Sequence, residues 1–247
     1  MNVSKNIQYP PQTGPYKVLV KDKGTWQGHN TVRLQISVGN PKHDGDKFFA
    51  LAEWAAARFD HVILIVSDTL QKHNIGIQRG INFNSAYEQS LRMGDEWLAR
   101  NQTAIGILPN KTVTRWDDWL NHADYQNTYT AISVLYNQRE DVKTAIDNKA
   151  REFATRHVGD DDSNPALQEM TRISARYIIE ELAAFAIMFR EPRAVDVYPG
   201  SWFQEIFDVL AQYDGIPAIE SFKTAECLRV DFVRNKGYAE ILPRMAA

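Results

Sequence analysis

Hydrophobic and polar positions alternate through "TVRLQISV" (31–38), and the run stops in Gly39, Asn40 and Pro41, so the pattern predicts a strand closed by a turn. The next segment, "DKFFALAEWAAARF" (46–59), changes period and sets Phe48, Leu51 and Ala55 on one helical stripe. It is followed by "HVILIVSD" (61–68), a continuous aliphatic run of the kind found in strands buried on both faces. Strand, helix and strand within about 40 residues make a βαβ unit, which predicts a doubly wound, mostly parallel sheet. Residues 82–101 read as helical, "AIGILP" (104–109) as a third strand, and 125–157 as a long helical region. "SNPALQEMTRISARYIIEELAAFAIMF" opens with a cap residue and places Pro165 in the first turn, a good helix start. "AVDVYPG" and "CLRVDFV" read as late strands.

Composition changes this picture little. The 247 residues are 44% hydrophobic and 24% charged, enough for a sizeable core, and no linker divides them. The expectation is a single α/β domain over 15–247, preceded by a flexible Pro-rich lead-in over 1–14. No apolar run approaches the ~20 residues of a membrane span, and "MNVSKNIQYPPQTGPY" lacks the regions of a signal peptide. Cys227 is the only cysteine, which excludes a disulfide framework and a thiolate zinc site. The chain is therefore expected to be cytoplasmic, off the membrane, and without metal or cofactor. Its net charge of −3 supplies no overall attraction to nucleic acid, so a polyanion would need a local basic patch. Arg79, Arg92, Arg100, Lys111 and Arg115, within one ~40-residue segment, are candidates for it.

The chemistry sits at three places. Ser37 ends the first strand, where side chains of open α/β sheets meet ligands. Gly39 lets backbone approach closely, and the amides around it are suited to an oxyanion. On their own, Ser37 and Asn40 also read as ordinary turn and cap residues. "GxSxG", "GxGxxG" and "GxxxxGK[ST]" are all absent. In "RYIIEE" (176–181), Tyr177 and Glu181 are four apart on one helix face, where a carboxylate serves as a base or holds an ammonium. Tyr198 precedes Pro199 at a strand end and is held extended. None of the six histidines has metal-site spacing, and His29, His43 and His73 read as solvated.

Taken in order, "ISVGN", "LAEWAAARFDHVILIVSDT", "RYIIEE" and "VYPG" resemble the cyclodipeptide synthase family over most of the chain. The resemblance implies a Rossmann-like fold related to class I tRNA synthetases, without their ATP motifs. It implies that two aminoacyl-tRNAs are converted into a 2,5-diketopiperazine, a reaction of secondary metabolism. By motif position, Ser37 is the nucleophile that becomes an aminoacyl ester and Asn40 orients the aminoacyl group. Tyr177 and Glu181 bind its ammonium, Glu181 assists proton transfer, and Tyr198 takes part in ring closure. The chain carries Asn40 as in one branch of the family and Tyr198-Pro199 as in the other. A monomer is expected. No histidine is placed by motif beside Ser37, which leaves the vicinal ribose hydroxyl of the tRNA as a proton relay.

Strand alternation adds an expectation about substrate. Arg33, Gln35 and Ser37 share one face, and Leu34 and Ile36 the other. If Ser37 faces the pocket, Gln35 and Arg33 approach it, joined from the second strand by Ile65 and Ser67. A guanidinium suits a carboxylate, so at least one substrate is expected to be glutamyl-tRNA, with aspartyl- or glutaminyl-tRNA next. The bland alternative is that Arg33 snorkels to the surface. Two other readings stay open: a non-catalytic aminoacyl-tRNA-binding module, and another Rossmann-like, nucleotide-dependent transferase.

Overall fold

The computed structural model describes residues 12–21, 26, 28–190, 194–236 and 238. The chain begins with strand β1 (Tyr16–Val20), then β2 (Thr31–Ser37), helix α1 (Gly45–Ala56) and β3 (His61–Ser67). Next come α2 (Lys72–Arg79), α3 (Phe83–Arg100), α4 (Gln102–Gly106), β4 (Thr112–Arg115) and α5 (Trp116–Leu120). Three long helices follow, α6 (Tyr125–Gln138), α7 (Glu140–Val158) and α8 (Pro165–Met188), before β5 (Ala194–Tyr198), α9 (Gln204–Leu210) and β6 (Cys227–Arg234).

The six strands lie in the order β1-β6-β5-β2-β3-β4, all parallel except the β1–β6 pair. Alternation in β2 and β3 divides their side chains between two cores. Leu34, Ile36, Val62, Leu64 and Val66 pack with α1, α3 and α4 on one face. Ile65 and the partly buried Ile63 join α5 to α9 on the other. β2 has a parallel neighbour on each side, and the chain leaves it toward β3 and β4 but returns to β5 and β6. The strand order therefore reverses between β2 and β5, which opens a crevice at their carboxyl ends. Ser37 stands there, in register with Ser67 of β3.

Three expectations need correction. Residues 104–109 are not a strand: α4 covers Gln102–Gly106, burying Ala104, and the strand is Thr112–Arg115. A short apolar run does not distinguish strand from buried helix, and the true strand is an edge whose polar composition hides it. The region 125–157 is two helices, because Arg139 is extended (φ −122°, ψ 112°) between α6 and α7. Of the expected lead-in, residues 1–11 lie outside the described residues, whereas Gln12–Gly14 are held. Thr13 N–H donates to Glu53, and Asn235 Nδ2 donates to the carbonyls of Gln12 and Gly14.

Among the described residues no helix is long and apolar enough to cross a membrane, and no group of His, Cys, Asp or Glu is arranged to hold a metal ion.

Candidate active site

The end of β2 and its loop, the turn after β3, the middle of α8 and the end of β5 enclose a cavity of about 750 Å³. Ser37 is fixed in it by its own backbone. Its N–H donates to His43 Nδ1 at 2.9 Å, and its carbonyl accepts from Asn40 N–H at 3.1 Å. Gln71 Nε2 donates to Ser37 Oγ at 3.3 Å. Between them Gly39 adopts φ +90°, which a side chain would strain. Asn40 Oδ1 accepts from Lys42 N–H at 3.0 Å and so caps the short 3-10 turn Pro41–His43.

His43 is fully buried, and its carbonyl accepts the indole N–H of Trp97 on α3 at 2.7 Å. Because Nδ1 accepts from Ser37, the imidazole carries its proton on Nε2. Burial, then the Lys42 charge, push its pKa down to about 3, so the ring is neutral throughout the physiological range. Its edge meets the ring of Tyr198, with centroids 5.0 Å apart.

Tyr198 ends β5 between His43 and Trp202, its phenol within hydrogen-bonding reach of Ser37 and Asn40. Burial, then the neighbouring Glu181 carboxyl, push its pKa up to about 12. A Cβ at residue 200 would lie 2.5 Å from the Tyr198 ring, so only glycine lets the chain fold back over it there. Across the cavity α8 presents Tyr177 and Glu181 on one face. Burial, then Glu181, raise the Tyr177 pKa well above the ordinary phenol value, and Gln71 bonds this phenol as well as Ser37.

Burial, then repulsion from Glu180, push Glu181 up to about 8. Glu180 faces away from the cavity. Burial raises its pKa, but His73 (Nε2 to Oε2, 2.9 Å) and Lys72 (Nζ to Oε1, 2.5 Å) outweigh this and hold it below the ordinary value. Trp116 Nε1–H adds a third bond, at 3.0 Å. Adjacent carboxyls on one helix thus have opposite protonation, one fixed as an anion and one titrating near neutrality. The cavity therefore combines an oriented hydroxyl, two neutral phenols that can donate hydrogen bonds, and a carboxyl able to take or give a proton at physiological pH.

Of the expected site residues, Ser37, Tyr177, Glu181, Tyr198, Gly39, Asn40, Gln35 and Ser67 line this one cavity. Arg33 and Ile65 do not. Ile65 is wholly inside the core. Arg33 is 2% exposed and forms a bidentate pair with Asp196 of β5, Nε and Nη2 approaching the carboxylate oxygens at 3.0 and 2.6 Å. It neither reaches the surface nor meets the cavity.

The expected RNA face also separates. Arg115 is engaged by Asp68, by Asp95 and by the carbonyl of Leu91. Arg100 pairs with Asp44 at 3.0 Å. Lys111 precedes β4 at the amino ends of the parallel strands, opposite the cavity. Arg79 and Arg92 are exposed. The bases that line the cavity are others: Lys42, with Lys149, Arg156 and His157 of α7. The three histidines read as solvated are all engaged, His29 with Glu226, His73 with Glu180 and His43 with Ser37. Nothing local in "PKHDG" announces the burial of His43, since the indole that covers its backbone lies 54 residues away.

The family model for cyclodipeptide synthase matches residues 23–198. A search of curated proteins returns no match. Among solved structures, a cyclodipeptide synthase from Fluoribacter dumoffii is similar at 23% identity and a TM-score of 0.76, covering 89% of this chain and 100% of the other. The Streptomyces noursei cyclodipeptide synthase is similar at 19% identity and 0.59, covering 86% and 99%. An enzyme from Candidatus Glomeribacter gigasporarum, solved bound to Phe-tRNAPhe, is similar at 15% identity and 0.59, covering 84% and 89%. With the family model spanning most of the chain and a mostly parallel, Rossmann-like sheet carrying the cavity, the chain belongs to the cyclodipeptide synthase family of aminoacyl-tRNA-dependent, cyclodipeptide-forming transferases.

Proposed function

We propose that the enzyme joins two aminoacyl groups by ping-pong transfer through an ester on Ser37. Ser37 Oγ attacks the carbonyl of an aminoacyl-tRNA, the ribose oxygen leaves with the proton, and the amino acid remains as an aminoacyl-Ser37 ester. The ester's amine then attacks the carbonyl of a second aminoacyl-tRNA, which forms the first amide and releases the second tRNA. The new terminal amine attacks the Ser37 ester, closing the six-membered ring and freeing the hydroxyl. Both carbonyls arrive activated as tRNA esters, so the site has to position and to move protons rather than supply energy.

The observation that carries the reading is the convergence of Ser37, Tyr177, Glu181 and Tyr198, from three separate segments, on one cavity. Glu181 and Tyr177 receive the substrate ammonium, and Glu181 takes the proton each amine must lose. Tyr198 donates to the carbonyl under attack during ring closure, and Asn40 holds the turn that aims Ser37. With His43 neutral and its acceptor nitrogen used by Ser37 N–H, the vicinal ribose hydroxyl remains the relay for the Ser37 proton. Aminoacyl-tRNA is the partner, as the tRNA-bound relative suggests. Its acceptor end enters past Lys42, Lys149, Arg156 and His157, while Arg79 and Arg92 take phosphates further out. Glutamyl-tRNA loses its chief support, because the guanidinium meant for its carboxylate already holds Asp196.

Incubation with tRNA carrying a radiolabelled amino acid tests the scheme. Label should co-precipitate with the wild-type protein and be absent from Ser37→Ala. Persistent labelling of the variant removes Ser37 from the role.

A further inference from the structure

The amide of Gln35 is held in one orientation by the ion pair behind it. Arg33 pairs with the Asp196 side chain through Nε and Nη2, at 3.0 and 2.6 Å from its two oxygens. Gln35 Nε2 donates to Asp196 Oδ1 at 2.7 Å and also meets Met188 Sδ at 3.5 Å. A carboxylate only accepts, so the amide cannot turn over without setting oxygen against oxygen. The side chain lines the cavity and is 3% exposed, yet its Oε1 has no partner. An unmet acceptor of this kind in a binding cavity is a request for a donor.

We propose, on the footing of the aminoacyl-Ser37 reading above, that the first amino acid has a side chain ending in a neutral amide, whose N–H2 donates to Gln35 Oε1. Gln35 and Ser37 share one face of β2, about 7 Å apart along the strand, so a side chain esterified to Ser37 lies on the same side of the sheet as the Gln35 amide. The amide's own oxygen needs a donor, and the hydroxyls that line the same cavity include Ser67, in register with Ser37, and Ser174, whose buried Oγ also has no partner. A glutamate or aspartate carboxylate would instead present oxygen to Oε1 with no proton between them. An aliphatic side chain would bury Oε1 unmet. Leaving one buried acceptor unmet costs about 1–3 kcal/mol, roughly 10- to 100-fold against the wrong substrate.

The test is competitive acylation of the intact wild-type protein by separately charged tRNAs, followed by acid precipitation of the acyl-enzyme. Glutaminyl-tRNA should exceed glutamyl-tRNA, and asparaginyl-tRNA should exceed aspartyl- and leucyl-tRNA, by roughly 10- to 100-fold. Gln35→Met keeps the length and leaves the Arg33–Asp196 pair in place, so labelling by glutaminyl- and asparaginyl-tRNA should fall to the level of the other charged tRNAs and the amide preference should vanish. Parity, inversion, or an amide preference that survives Gln35→Met overturns the proposal. The wild-type ranking decides alone if that variant does not fold. Absence of labelling by every charged tRNA indicts the Ser37 ester itself, a distinct result from a wrong ranking.

Discussion

Glu181 stores stability that its proposed part in proton transfer would require it to forgo, and the amount follows from its surroundings. Its pKa rises from 4.5 to about 8 in the folded protein because burial and the Glu180 anion penalise its charge. Between those values the native state keeps a proton that the unfolded chain has lost. Its contribution to stability is therefore complete below pH 4.5 and drains away as pH climbs through 8. Linkage puts the loss at roughly 1 kcal/mol at pH 5, 3 at pH 7 and 4 at pH 8. These are ceilings, since the carboxyl faces a cavity open to water. Glu181→Gln is neutral at every pH and escapes the loss. At about 2 °C per kcal/mol for a chain of this length, the difference in Tm between variant and wild type should widen by roughly 6 °C from pH 5 to pH 8. Thermal melts of both proteins at matched ionic strength read this directly, and titrations not coupled to Glu181 cancel in the difference. The variant should be the sturdier protein above pH 7 and make little or no cyclic dipeptide. Parallel melting curves across that range refute the placement of a strained carboxyl at 181.

Two further outcomes test the frame around the site. Arg33→Met leaves Asp196 as a fully buried, uncompensated charge and should cost about 3–5 kcal/mol in urea denaturation, whereas Arg33→Met with Asp196→Leu should recover most of the loss. Recovery failing in the double variant would mean that the pair does more than neutralise itself. For His43, asparagine presents an oxygen where Nδ1 stands and leucine does not. If Ser37 is acylated as proposed, His43→Asn should keep a measurable share of that acylation while His43→Leu loses about 10- to 100-fold, a drop set by one buried hydrogen bond to the Ser37 backbone. Equal loss in both variants would reduce His43 to filler.

Periodicity made β2, α1 and β3 legible because their side chains alternate between sheet faces that are both covered, and the same logic put Ser37, Gln35 and Arg33 on one side. The helix spacing of Tyr177 and Glu181 was readable for the same reason. β4 escaped because an edge strand has no buried face to write a pattern, and the break at Arg139 escaped because neither glycine nor proline marks it. Electrostatic roles were the hardest to read. Whether Arg33 awaits a ligand or an internal partner depends on Asp196, which is 163 residues away and joins it only when β5 docks beside β2. The burial of His43 and the carboxyl pair at 180 and 181 likewise depend on α2 and α3 packing where no local rule sends them.

One consequence follows from the indole of Trp97. Helix α3 turns this residue inward to the carbonyl of His43, whose ring holds the backbone of Ser37, while Arg92 stands exposed on the same helix. Two hydrogen bonds thus join a rigid rod to the serine, with no flexible segment interposed. Any polyanion that rested on Arg92 would be indexed to Ser37 as work is indexed to a tool by a jig, and repositioning it would mean moving the whole helix.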